Sequence, residues 1–160
     1  MTSPTEGLNG DDIEHLEAVV EMAIEIARKG ASPFTARLVP GNGGSHIDAI
    51  NTVRESGDVT GHAETNLLRK LAGLSRTDLA ASTLYASCEP CAMCAAAICW
   101  SHVGRVVYAL SHEQMRQLHP TSHREPGVSG TELFQNTKGA PQVVGPVPSV
   151  RPDRPFLLDS

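Results

Sequence analysis

No apolar run in this 160-residue sequence approaches the length of a membrane span, so an integral membrane protein is not expected. The N-terminus, MTSPTEGLNGDD, has neither a basic stretch nor an apolar core, and therefore does not resemble a signal peptide. Runs of lysine and arginine are also missing, and the net charge is −5. Because a large nucleic-acid footprint needs a basic stripe, nucleic acid is not the expected partner.

The composition indicates a folded chain with one core. Hydrophobic residues make up 40% and charged residues 19% of the sequence, which is typical of a globular protein. A chain of 160 residues is long enough for one domain. We expect residues 1–10 to form a flexible tail and residues 11–160 a single domain.

The four cysteines indicate a metal site rather than a disulfide framework. All of them lie between Cys88 and Cys99, on one short stretch of chain, which is poor geometry for several bridges. Clustered cysteines of this kind fit a reducing compartment, so the expected location is the cytoplasm.

One histidine, one glutamate and two of these cysteines have the spacing of a catalytic zinc site. His62, Cys91 and Cys94 can supply three ligands and leave the fourth position for water. Zinc lowers the pKa of bound water to about 7, so hydroxide becomes available at neutral pH. Glu64, two residues after the histidine, can take up the water proton and pass it to a substrate.

The local sequence suggests how two thiolates reach one ion. Pro90 is predicted at the first position of a helix, where its missing N–H is not needed, and the helix start favours thiolate over thiol. A structural zinc site is the alternative, with Cys88 as a fourth ligand. Such a site would leave no role for Glu64.

Hydrophobic periodicity predicts strands that alternate with helices, which indicates an α/β domain of three layers. The hairpin strands should be antiparallel, and strands joined through helices should be parallel. The predicted helices are 11–29, 62–71, 91–100 and 113–118, and the predicted strands are 34–39, 47–53, 82–86 and 105–110.

Residues 34–110 resemble the cytidine deaminase superfamily, whose zinc-dependent members carry the pattern H-x-E…P-C-x-x-C. The segment LYASCEPCAMCAAAICW (84–100) is most similar to the bacterial guanine deaminase branch, and the tRNA-adenosine deaminases share much of the pattern. The resemblance implies a three-layer α/β/α fold with a mixed five-stranded sheet. It also implies one catalytic Zn²⁺ per chain and a homodimer.

The resemblance further implies four substrate-binding residues. Phe34 would lie against the base, Asn51 would hydrogen-bond its edge, and the backbone N–H of Ala63 would bind its carbonyl or ring-nitrogen side. Trp100 would line the pocket, near a subunit boundary. Three of these residues have a simpler interpretation: Phe34 and Trp100 as core residues, and Asn51 as a partner for a turn.

The predicted function is hydrolytic deamination of a free nucleobase, a guanine-like purine or a related amino-heterocycle. Asn66 differs from the usual pattern, and residues 111–160 form a variable region that is expected to close the site. Pyrimidine or s-triazine rings and nucleosides are therefore alternatives, and tRNA adenosine is a weaker one. A zinc-stabilised interaction protein is the non-enzymatic alternative.

Overall fold

A mixed sheet of five strands, in the order β2-β1-β3-β4-β5, lies at the centre of the computed structural model. The structure describes residue 3, residues 5–120 and residues 124–158; parts of the predicted tail and of the C-terminal region lie outside these ranges. The strands are β1 (Thr35–Val39), β2 (Ile47–Ile50), β3 (Thr83–Cys88), β4 (Arg105–Leu110) and β5 (Gln142–Val144). The helices are α1 (Gly10–Arg28), α2 (Val53–Ser56), α3 (Ala63–Arg69), α4 (Arg76–Ala80), α5 (Ala92–Ser101), α6 (His112–Leu118) and α7 (Gly130–Gln135). Two 3₁₀ turns follow at Pro148–Val150 and Arg154–Phe156.

The pairing of the strands confirms the predicted mixture of directions. Strand β1 is antiparallel to both β2 and β3, whereas β3, β4 and β5 run parallel to one another. Helix α5 connects β3 to β4, as a parallel pair requires. The carboxyl ends of β2, β3 and β4 and the beginning of β1 therefore lie along one side of the sheet, called here the carboxyl edge.

Alternation along the central strands divides the core into two layers. Leu84 and Ala86 of β3 face a cluster built with α3, α5 and α7. Tyr85, between them, faces the opposite cluster, built with α1 and the C-terminal segment. The three-layer α/β/α architecture predicted from the sequence is confirmed.

Several predicted boundaries were wrong, each for a local reason. The second strand ends at Ile50 rather than at residue 53, because the chain turns into the short helix α2. Helices α4 and α7 were not predicted. Each is only one to two turns long, and begins with a capping box in which a serine and an acidic side chain satisfy each other's backbone N–H.

Within the described ranges, every helix is too short or too polar to cross a bilayer.

Candidate zinc site and active site

The carboxyl edge brings the beginning of β1 next to the ends of β2 and β3. The backbone N–H of Asn51 donates to the carbonyl of Phe34 at 2.9 Å, and the N–H of Thr35 donates to Oγ of Ser87 at 3.0 Å. Helices α3 and α5 both begin at this edge and pack against the same face of the sheet. Side chains at the two helix starts therefore face each other.

Three potential zinc ligands meet at these helix starts. His62 is the N-cap of α3, Cys91 is the N-cap of α5, and Cys94 lies in the first turn of α5. Nδ1 of His62 is 3.6 Å from Sγ of both Cys91 and Cys94, and all three ligand atoms lie within 4.8 Å of one another. Tetrahedral zinc with ordinary Zn–N and Zn–S bonds separates nitrogen and sulfur by about 3.6 Å. The donor set therefore fits one zinc ion.

The position predicted for Pro90 was wrong by two residues. Cys91 has the extended backbone of an N-cap, with φ −68° and ψ 171°, so Ala92 is the first helical residue and Pro90 precedes the cap. This arrangement places one thiol at the cap and the other in the first turn, where both can reach one ion.

Cys88 is not a fourth member of this metal-binding group in the described part of the chain. It is buried and packs with Leu110 and Met115. Burial raises the pKa of the Cys88 thiol well above its usual value, and the charges of Glu64 and Glu89 act in the same direction. Cys88 therefore behaves as a neutral core residue.

The two cysteines of the group differ in their electrostatic environment. A hydrogen bond from Cys94 lowers the pKa of Cys91 to about 4, against the effect of burial, and His62 contributes in the same direction. The same hydrogen bond and burial raise the pKa of Cys94. Cys91 is therefore the thiol that ionises more readily, and the thiolate is the form that binds metals.

Glu64 lies in the first turn of α3, directly against this group. Glu64 is buried, with 7% of the residue's surface exposed. Burial is the largest influence and raises the pKa of Glu64, and the negative charge of Cys91 raises it further. A buried carboxyl whose proton affinity is raised suits a group that accepts and releases a proton.

Asn51 and Ala63 have donors at the carboxyl edge. Asn51 is buried, and its Oδ1 accepts the N–H of Val53 at 3.1 Å, as the turn interpretation predicts. Among the described residues, its amide nitrogen has no hydrogen-bond partner. Ala63 is the first residue of α3, so its N–H is one of the donors that the helix itself cannot satisfy.

Phe34 belongs to a cluster of three rings, with His119 and Phe156. Its ring centroid is 6.1 Å from that of His119 and 5.8 Å from that of Phe156. The cluster packs next to Cys88, at the end of β3. The sequence pattern gave no indication that these rings would meet, because His119 and Phe156 are far from Phe34 along the chain.

Trp100 lies away from His62, Cys91 and Cys94. It lies near the end of α5, opposite the end that carries Cys91, and 87% of its surface is exposed. It borders a shallow groove with Cys99, Leu133 and Lys138. The core interpretation of Trp100 is therefore wrong, and its side chain is available to another molecule.

The side chain of Asn66 forms hydrogen bonds with the chain segments on either side of it at the carboxyl edge. Its amide nitrogen donates to the carbonyls of Ile50 and Gly61, at 2.9 and 3.1 Å, and to Oγ1 of Thr52 at 2.9 Å. This side chain links the residues on both sides of Asn51 to the residue before His62.

Comparisons with known proteins agree with this geometry. The family described as "Cytidine and deoxycytidylate deaminase zinc-binding region" matches residues 11–110. The chain is 35% identical over 141 residues to a probable cytosine deaminase of Schizosaccharomyces pombe, covering 87% of this chain and 86% of the relative. It is 36% identical over 102 residues to guanine deaminase of Bacillus subtilis, covering 60% of this chain and 65% of the relative.

The fold also recurs among solved structures. Guanine deaminase from Nitrosomonas europaea superimposes with a TM-score of 0.73 at 21% identity, over 90% of this chain and 81% of that one. At this identity the likeness shows the shared fold, with its mixed five-stranded sheet between helices.

Proposed function

The chain belongs to the cytidine and deoxycytidylate deaminase family, and we propose that it deaminates a free nucleobase, with cytosine as the leading substrate. Deaminases of this kind are hydrolases of C–N bonds, so water is the co-substrate and ammonia a product. The proposal rests on the share of this chain that aligns with the probable cytosine deaminase. Similarity to the probable cytosine deaminase covers 87% of the chain and so passes beyond residue 110, whereas similarity to the guanine deaminase covers 60%.

Zinc is the cofactor, and we assign its binding to His62, Cys91 and Cys94. When bound, zinc supplies the Lewis acidity that activates a water molecule for attack on the amino-bearing carbon. Glu64 accepts one proton from this water and delivers it to the ring nitrogen beside that carbon. Once the oxygen is bonded to carbon, Glu64 accepts the second proton of the same oxygen and delivers it to the departing amine. One C–O bond forms, one C–N bond breaks, and ammonia leaves.

The base is oriented by donors that lie beside the zinc group. The amide nitrogen of Asn51 donates to the carbonyl edge of the ring, while its Oδ1 stays with Val53. The N–H of Ala63 donates to a ring nitrogen or carbonyl. Phe34 packs against the ring, because it borders both Asn51 and Cys88. These contacts would hold the amino-bearing carbon toward Glu64.

We assign closure of the site to the C-terminal region of the same chain. Phe156, in the last 3₁₀ turn, packs on Phe34 and on His119, which follows α6. A site bordered by the chain's own C-terminal turn suits a small base better than a base held in RNA. The net charge of −5 also disfavours folded RNA, which needs many phosphate contacts.

A guanine-like purine is the second candidate, favoured by the segment Ser87-Cys88-Glu89-Pro90-Cys91 and by the similarity to guanine deaminase of Bacillus subtilis. Amino-triazines and nucleosides are the next candidate substrates. A zinc-stabilised interaction protein is disfavoured, because a purely structural site has no need of a buried carboxyl such as Glu64.

The proposal includes a homodimer, formed through the outward face of α5. This helix carries no charged residue, and its Met93 and Trp100 are exposed. A helix that is apolar all round normally has a partner on each side. A reducing compartment completes the proposal, because it keeps the thiols of Cys91 and Cys94 free for the metal.

The test is ammonia release by zinc-loaded protein from cytosine, guanine, their nucleosides, an amino-triazine and a tRNA anticodon hairpin. We expect kcat/KM to be highest for cytosine and the zinc content to be one ion per chain. Highest activity on guanine would replace the leading substrate by the second candidate. Turnover of RNA or nucleosides alone would contradict the free-base proposal.

A further inference from the structure

Glu89 forms a junction next to the start of α5, which carries the two zinc-binding cysteines. Its carboxylate is buried, with 9% exposure. Oε2 accepts the backbone N–H of His112 at 3.0 Å, and Oε1 accepts the backbone N–H of Thr131 at 3.1 Å. Its own N–H donates to the carbonyl of Leu110 at 2.7 Å. Glu89 is thus fixed to β4, α6 and α7, and Pro90 and Cys91 follow it directly in the chain.

Neither helix needs Glu89 to begin. Ser111 and Gln114 form a complete capping box at the start of α6, and Ser129 and Glu132 form another at the start of α7. The carboxylate of Glu89 binds one additional N–H in the first turn of each helix. Its contribution is therefore to attach the two helices to the start of α5.

A direct contact between α7 and the start of α5 supports this interpretation. A Cβ atom at Gly130 would lie 1.8 Å from the carbonyl oxygen of Pro90 and 3.5 Å from Cβ of Ala95. Only glycine permits the first residue of α7 to approach this closely. The start of α7 therefore rests on the residues immediately before Cys91 and immediately after Cys94.

We propose that Glu89 is a positioning residue that fixes the start of α5, from Cys91 to Cys94, through its bonds to α6 and α7. The inference rests on the proposed zinc site. Glu89 touches neither the ligand atoms nor the base; it holds the backbone that sets the spacing of the two sulfur atoms. Because Glu89 binds α6 and α7, the C-terminal region that closes the site also stabilises the metal centre.

The first test is Glu89→Gln, which keeps the shape of the side chain but replaces one acceptor by an N–H₂ group facing a donor. We expect zinc to be lost to a competing chelator about 10-fold faster, the scale on which groups beyond the ligands act on metal affinity. The absorption bands of the Co²⁺-substituted protein should shift, and kcat should fall with little change in KM. Glu132→Gln is the matched control, because Glu132 also accepts an N–H at the start of α7 but is not a chain neighbour of Pro90 and Cys91.

The second test removes one donor instead of the acceptor. His112 is the first residue of α6, and Ser111 before it is extended, so His112→Pro suits the helix start and deletes the N–H that Glu89 accepts. His112→Ala keeps this N–H and is its control. We expect His112→Pro, but not His112→Ala, to accelerate zinc loss, and this comparison decides the question if Glu89→Gln does not fold.

Zinc loss and Co²⁺ spectra like those of the wild type in both Glu89→Gln and His112→Pro would overturn the inference. That outcome differs from failure of the proposed zinc site, in which the wild-type protein itself would not retain zinc.

Discussion

At the scale of single residues, Asn51 combines two tasks in one amide group. Its oxygen accepts the N–H of Val53 and so holds the chain where β2 leaves the sheet. Its nitrogen is the part assigned to the base. A substitution that separates the two atoms can therefore separate the structural task from the binding task.

Asn51→Asp makes this separation, because a carboxylate keeps the acceptor for Val53 and loses the donor. We expect KM to rise by about 10-fold, which corresponds to one lost hydrogen bond to the ligand, while kcat and zinc content stay near wild type. Steady-state kinetics on the preferred base measures the effect. Wild-type KM in Asn51→Asp would show that the side chain serves only the turn.

The zinc group could be predicted because its residues form a short, recognisable sequence pattern. The spacing of His62, Cys91 and Cys94 and the neighbouring Glu64 are visible in the sequence, and the fold brings the three ligands within reach of one ion. The roles of Asn66 and Glu89 could not be predicted, because their partners come from distant parts of the chain. Trp100 required the structure for the same reason: exposure depends on what the fold leaves uncovered.

At the scale of elements, α1 is fastened to the sheet by one buried carboxylate. Asp12 accepts hydrogen bonds from the guanidinium of Arg105 at 2.6 and 2.8 Å and from the hydroxyl of Tyr85 at 2.7 Å. It also accepts the N–H of Asn9 in the capping box of α1. Burial acts to raise the pKa of Asp12, but these hydrogen bonds outweigh it and hold the pKa below the usual value.

Asp12→Asn should lower the free energy of unfolding by about 3 kcal/mol, because Arg105 would lose its buried partner. The folded-state pKa of Asp12 is lowered, so its contribution is fully present above its unfolded value near pH 4 and is lost as pH falls through the folded value. Denaturant unfolding across this range measures the difference between variant and wild type. A difference that grows as the solution becomes more acidic would contradict the account.

Short helices were not predicted, because a helix of five or six residues is too short for hydrophobic periodicity to be recognised. Helices α4 and α7 each begin with a serine followed three residues later by Asp78 or Glu132, and this capping-box pattern could have located both. The order of the strands is a different matter. The position of β1 between β2 and β3 depends on pairings between distant segments, which the sequence does not encode locally.

At the scale of the whole molecule, the layer that carries the zinc group has an exposed apolar surface on α5. Helix α5 packs its Ile98 into the core and presents Trp100 outward. The proposed dimer would cover this surface and add rigidity to the helix that begins with Cys91.

Trp100→Glu should convert the dimer to a monomer, because a carboxylate cannot be buried unpaired in an apolar interface. Sedimentation velocity at several protein concentrations measures the change. Val59→Glu is the control, since Val59 is also an exposed apolar side chain, at 74%, but lies outside α5. A wild-type protein that is monomeric, or a dimer that survives Trp100→Glu, would contradict the proposed interface.

The central claim is that Glu64 moves the protons of a zinc-dependent deamination, and Glu64→Gln tests it most directly. Ammonia release should be compared between wild type and variant at equal zinc content, on the base that the wild type prefers. The account predicts that kcat falls by roughly 10²–10⁴-fold in a protein that keeps its zinc and its fold. Activity within a few-fold of wild type in the zinc-loaded variant would contradict it.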